Sequence, residues 1–185
     1  MSIPWESEHS VVEADPKQLK ELFLLLADGG LSDPEVSPIV DRALLALDDP
    51  HAYINDYPDD EWITEGFALD ESQEGSIRLL HWVIFDELQA FLTISDDANE
   101  LTERIIDRLI QDEVAIEDPP SYLRTLADHL GYLNEQLAAI AENPKALLKF
   151  ETGFTDEIGL FVVSRDAVAR IVTLARERGL RLSVT

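Results

Sequence analysis

Leu19, Leu22, Phe23 and Leu26 recur at the spacing of one helical face, and Gly29-Gly30 follows them. Side chains three and four positions apart share one side of an α-helix, so this stretch predicts an amphipathic helix. Asp15-Pro16 marks its start, a capping carboxylate followed by a proline at the first helical position, and the glycine pair ends it. Val36, Ile39, Val40, Ala43, Leu44 and Leu47 form a second apolar stripe, and Pro38 puts the start of that helix near Ser37. Asp49-Pro50 opens a short third helix that Tyr57-Pro58 stops, because the residue before a proline is driven out of the helical region. Residues 58–75 follow no period and read as a loop or a loose helical turn.

A dense apolar run extends from Ser76 to Gln89. Ile77, Leu80, Ile84, Leu88 and Phe91 line one helical face, and most other positions are apolar too, the mark of a buried helix. A strand through Leu79–Phe85 is the competing reading. Phe91–Ser95 reads as a strand. Asp97 and Glu100 form an acidic capping pattern ahead of a helix with Leu101, Ile105, Ile106 and Leu109. Asp118-Pro119-Pro120 is a break. After it, Leu123, Leu126, Leu130, Leu133, Leu137 and Ile140 predict one long helix to about Glu142, ended by Asn143-Pro144.

The remainder changes character. Leu147–Glu151 and Gly159–Val163 are strand-like runs separated by loop sequence containing Gly153. Ser164 is expected to cap a helix carrying Val168, Ile171, Val172 and Ala175, which Gly179 stops before a last strand, Leu180–Val184. Residues 1–15 read as a polar lead-in with Trp5 docking onto the body. Together these elements predict a single helix-rich α+β domain over residues 1–185. An acidic helical part (about 16–120) would precede a neutral part (about 121–185), with a small, mostly antiparallel sheet of about four strands packed on helices. No repeat or low-complexity segment occurs.

Charge sharpens this picture because it is not spread evenly. The formal net charge is −24. Residues 1–120 hold 30 Asp/Glu against 6 Lys/Arg, and residues 121–185 hold 8 against 8. Between Arg42 and Arg104 the only basic residue is Arg78. A one-signed surface attracts cationic partners and repels anionic ones, so nucleic acid and anionic membrane are poor partners. No run approaches the roughly 20 apolar residues of a membrane span. Met1–Asp15 carries four acids and no Lys/Arg, unlike a signal peptide. With no cysteine there is neither a disulfide framework nor a thiolate metal site. A cytoplasmic setting is the expectation.

Catalytic signatures are absent from the linear pattern. His9, His51, His81 and His129 form no metal-binding pair at helical spacing, and His81, beside Trp82 in the apolar run, reads as a core or interface histidine. No phosphate-binding glycine loop and no nucleophile elbow occurs. No cofactor is expected. Asp56, Asp59, Asp60 and Glu61 are the densest carboxylate cluster. If they converged they would hold a divalent cation through oxygen, which is the basis for an alternative reading as a carboxylate-dependent metal hydrolase with one histidine as base. The residues Ala43–Ile77 contain ten acids, no Lys/Arg, and Tyr53, Tyr57, Trp62 and Phe67, with Trp82 close behind. Acids steer a basic partner and pair its cations, while aromatics supply contact area. The candidate partner-binding residues are therefore Tyr53, Asp56, Tyr57, Asp59, Asp60, Glu61, Trp62 and Glu65. The competing reading makes the aromatics core and the acids a solvated face. A nucleic-acid mimic is a third reading and requires acids spaced like phosphates.

Arg165, Arg170, Arg176, Arg178 and Arg181 oppose the acidic trend, on and after the last helix. They suit pairing with the acidic part or between two protomers, so a homodimer is compatible with the sequence.

The stretches LLKFETGFTDEIGLFVVSRDAVARIVTLARERGLRL and HWVIFDELQAFLTISDDANELTERIIDRL carry a resemblance. Over about residues 76–185 the chain resembles small bacterial proteins classed as domains of unknown function. The resemblance implies an α+β fold and no particular activity. By class analogy, acidic cysteine-free bacterial proteins of this size include immunity proteins that neutralise a toxin. The leading expectation is a non-catalytic protein that binds a basic protein, such as a toxin in an immunity pair.

Overall fold

Central strand β3 (Ile158–Ser164) is buried on both faces and organises the molecule. The computed structural model describes residues 15–69, 73–111, 116–155 and 157–185. The expected lead-in, with Trp5, lies outside the described residues. The order is α1 (Pro16–Leu26), α2 (Asp33–Asp48), α3 (Pro50–Asp56), a 3-10 helix (Pro58–Thr64), α4 (Gln73–Glu87), β1 (Leu92–Ser95), α5 (Ala98–Gln111), α6 (Leu126–Ala138), β2 (Lys145–Phe150), β3, a 3-10 turn (Arg165–Ala167), α7 (Val168–Glu177) and β4 (Leu182–Val184). The four strands form one antiparallel sheet in the order β1-β3-β2-β4. The protein is α+β and helix-rich.

Alternation along the strands divides the core in two. Leu148, Phe150, Phe161 and Val163 join the apolar stripes of α1, α2, α4 and α7. Leu147, Leu160 and Val162 point the other way and pack with Leu101, Ile105 and Leu109 of α5 and Leu130, Leu133 and Leu137 of α6. Gly159 is closely hemmed in: a Cβ there would stand 3.0 Å from Leu92 Cδ1 and 3.3 Å from the Phe150 carbonyl oxygen.

The change of charge near residue 120 is not a change of architecture. β1, from the acidic stretch, pairs with β3 from the neutral one. α7 packs on α1, where Arg170 donates to Glu21 through Nε (2.8 Å) and Nη2 (2.5 Å). That hydrogen bond holds the Glu21 carboxyl below its usual pKa. Lys145 pairs with Asp28, and Arg178 donates to Gln18. At least part of the late basic charge is thus used within the chain.

Most elements stand where periodicity places them, and the differences have local causes. α2 begins at Asp33, not near Ser37. Ser32 and Glu35 form a capping box, and a proline in the first turn already supplies a helical φ, so the helix starts ahead of Pro38 and carries it. α6 is shorter than expected at both ends. Thr125 caps it in an extended conformation with Asp128 three residues on, which leaves Leu123 outside, and it ends at Ala138 rather than about Glu142. Ser164 makes no side-chain cap; a 3-10 turn precedes α7, and the Ser164 amide donates to Asp28 Oδ1 (2.9 Å). Asp97 does cap α5, accepting from the amides of Asn99 and Glu100. The Glu100 carboxylate turns instead to Ser95 Oγ and Arg104. The strand alternative for Leu79–Phe85 fails: α4 runs through it, with Leu79, Leu80, Val83 and Ile84 fully buried. No described helix is long and apolar enough to cross a membrane.

Candidate functional site

The acidic aromatic stretch is built by two short helices in tandem. Asp49 caps α3 by accepting from the Ala52 amide (2.9 Å), and Pro58 begins the 3-10 helix at once. A 3-10 helix repeats every three residues, so Asp60 and Ile63 share a face. That face is the inner one: Asp60 is 8% exposed and Ile63 is fully buried. Asp59, Glu61 and Trp62 are left outward. Gly66, at φ +85°, then turns the chain, and the Phe67 amide donates to the Thr64 carbonyl (2.9 Å).

The eight candidate residues therefore fall into two groups. Asp56, Tyr57, Asp59, Glu61, Trp62 and Glu65 are exposed, with Trp62 at 49%. Tyr53 and Asp60 are buried and meet Arg42 of α2 beneath the surface. Arg42 Nε donates to Tyr53 Oη (3.2 Å) and Nη2 to Asp60 Oδ2 (3.0 Å). Nη1 donates to Asp86 Oδ2 and Glu87 Oε1, both at 2.6 Å. The Tyr53 hydroxyl donates to Asp60 Oδ2 (2.7 Å). Tyr53 and Tyr57 stack with ring centroids 4.8 Å apart, and the guanidinium carbon of Arg42 lies 4.6 Å from the Tyr57 ring centroid.

Burial disfavours the charged form of Arg42, but the bonds to Glu87, Asp86 and Tyr53 outweigh it and raise its pKa. Burial also pushes the Tyr53 phenol up, and its bond to Asp60 adds to this against the opposing Arg42 charge. Both groups keep their protons across the physiological range. One guanidinium faces three carboxylates, so the cluster keeps a negative balance, with Asp86 and Glu87 partly open to solvent.

A second, aromatic cluster adjoins it. Trp62 meets Trp82 edge to face at 5.3 Å and Phe154 at 6.2 Å. Trp82 stacks on Phe85 at 5.5 Å, and Phe154 closes the group against both. Outside Trp62, a groove of about 680 Å³ runs between α3 and the segment from Glu61 to Leu69. Arg78 lies with its guanidinium carbon 5.0 Å from the Phe67 ring.

Arg42, Asp86, Glu87, Phe85 and Phe154 were not singled out by sequence. Arg42 carried a signal, since a lone cation beside a long acidic run must find carboxylates. Phe154 carried none, because a loop residue some ninety positions away has no linear relation to Trp62.

Asp60 is engaged by Arg42 and Tyr53 while Asp56 and Asp59 are exposed. Among the described residues no three His, Asp or Glu side chains are grouped to hold a metal ion. Asp56, Asp59 and Asp60, the carboxylates named for a metal hydrolase, belong to no such group. His81 is buried and stacked on Phe150. Its Nδ1 meets the Ile77 carbonyl (2.8 Å) and its Nε2 accepts from the Arg181 amide (3.3 Å), an arrangement that fixes the neutral ring with the proton on Nδ1. Burial depresses its pKa, and the Arg181 charge acts in the same direction against the Ile77 bond. His129 is buried with Nδ1 3.1 Å from Thr102 Oγ1. Comparison with protein-family models, curated proteins and solved structures finds no match for this chain.

Proposed function

We propose that the protein is a non-catalytic binding protein that engages a basic protein through the exposed face of α3 and the 3-10 helix. A bacterial immunity protein holding a cationic toxin is the type of pairing this reading has in view. Asp56, Asp59, Glu61 and Glu65 would pair with lysine and arginine of the partner, and Tyr57 and Trp62 would supply contact area. Tyr53 and Asp60 would act from beneath, holding the face to α2. One observation carries the reading: two aromatics and four acids are exposed side by side on a stretch whose nearest preceding cation, Arg42, is buried. Acids give speed of association and choice of partner, and rigid aromatics give residence.

Capture of partners by the tagged protein at low and high ionic strength tests this. A basic protein held at about 0.05 M salt and released at about 0.5 M is expected, since exposed charges are screened over that range. An acidic partner, or capture indifferent to salt, overturns it.

A further inference from the structure

We infer that the groove beside Trp62 holds an arginine side chain of that basic partner, with the guanidinium against the indole and between Glu61 and Glu65. The inference rests on the binding reading above and deepens it to one residue type at one place.

The groove has the three surfaces that an arginine uses. Ile54, Phe67 and Leu69 offer apolar lining for its methylene stem. Trp62 offers a ring, and the guanidinium is planar and weakly hydrated enough to stack on it, which the ammonium of lysine is not. Glu61 and Glu65 offer carboxylates for its N–H groups. The ion pairs of the described residues bring neither glutamate a lysine or arginine. The chain satisfies the same chemistry internally twice nearby, with Arg42 against Tyr57 and Arg78 against Phe67.

Trp62 is also fixed before any partner arrives. Trp82 and Phe154 meet it edge to face from inside while 49% of it stays exposed. A half-exposed ring already held in place loses little freedom on binding, which is the property of an interface anchor. Charge selects the occupant: an anionic or neutral apolar segment would leave two glutamates desolvated and unpaired.

The test is an amide NMR titration of the full chain with a capped pentapeptide Leu-Arg-Leu-Arg-Leu, and with the same peptide carrying citrulline, the neutral isostere of arginine. The expected result is shifts confined to Ile54, Glu61–Phe67 and the Trp62 indole, with none from the citrulline peptide. Trp62→Ala should weaken binding about tenfold, the size of a partly desolvated cation–π contact. Glu103→Gln with Asp107→Gln, on α5 across the sheet, should change it by less than about twofold, as expected for exposed charges beyond the screening length. Dispersed amide spectra of the variants establish that they fold. Shifts spread over the acids of α5, unchanged binding by Trp62→Ala, or no shift at millimolar peptide overturns the groove assignment. Each of these outcomes leaves salt-dependent capture of a basic protein standing. Failure of that capture removes the broader reading.

Discussion

Arg42 Nη2 lies 3.0 Å from Asp60 Oδ2, with 9% and 12% of the two side chains exposed. The pair joins α2 to the 3-10 helix, and the bonds of Arg42 to Asp86 and Glu87 bring in the end of α4. The 3-10 helix of the candidate face is thus tied to α2 and α4 at one guanidinium. Removing the cation leaves Asp60 buried without its partner, and breaking a buried pair from one side costs about 3–5 kcal/mol. Arg42→Met is expected to lose stability of that order. Asp60→Asn keeps an oxygen that accepts from Tyr53 and Arg42, and should cost about 1–3 kcal/mol. Urea midpoints with unchanged slope check both, and a loss below about 1 kcal/mol for Arg42→Met would show that the cluster holds nothing together.

The local elements of this fold are legible in the chain because their causes are local. Asp15-Pro16 and Asp49-Pro50 cap helices where they stand, and Gly179 ends one. Two helix starts differ from expectation where two local signals compete: Pro38 against the Ser32–Glu35 box, and Pro120 against the Thr125–Asp128 box. In both cases the paired hydrogen bonds of the box set the start. The site was half legible. Its acids and aromatics are sequence neighbours, but the sorting of Asp60 inward and Asp59 outward depends on three-residue periodicity in a segment that carried no readable period. The supports contributed by Asp86 and Phe154 are long-range and leave no trace at any fixed spacing.

His81 makes stability depend on pH in a stated direction. Its folded pKa lies below the ordinary value of 6.5. Above that value neither the folded nor the unfolded chain protonates the ring, and the stability is fully present. As pH falls through 6.5 the unfolded chain gains a proton that the folded one refuses, so stability is lost on acidification until the folded pKa is reached. Thermal midpoints from pH 7.5 to 5 should fall more steeply for the natural chain than for His81→Phe, which keeps the stack on Phe150 without a titrating group. Parallel curves would refute the assignment of a buried neutral ring.

Gly66 and Gly159 should resist substitution for different reasons. Gly66 sits at φ +85° with no heavy atom within 4 Å of a Cβ, so alanine there costs backbone energy alone, about 1–2 kcal/mol. Asparagine, which tolerates that region, should recover part of it. Gly159 has no such φ, and the obstacle is Leu92 and the Phe150 carbonyl. Alanine there should cost about 1–3 kcal/mol by overpacking, and asparagine should be worse. Chemical denaturation of the four variants separates the two causes: the order of Ala and Asn must reverse between the sites.

Salt should act on folding and on binding with opposite signs. The chain carries a formal net charge of −24, and self-repulsion among its acids opposes compaction. Screening relieves that repulsion, so raising salt from about 0.05 to 0.5 M should raise the urea midpoint. The exposed pairs Lys20–Asp33, Arg104–Glu100 and Arg170–Glu21 weaken in the same solutions, but exposed pairs each contribute only about 0–1 kcal/mol. The Arg42–Asp60 pair is sheltered from screening by its burial. Association with a basic partner, in contrast, should slow and weaken with salt, because the acids that repel one another are the ones that steer the encounter. A midpoint that falls with salt would mean that attraction between opposite charges within the fold outweighs repulsion among the acids. In that case the surplus field inferred from the net charge would not govern folding, and the binding reading would lose that support.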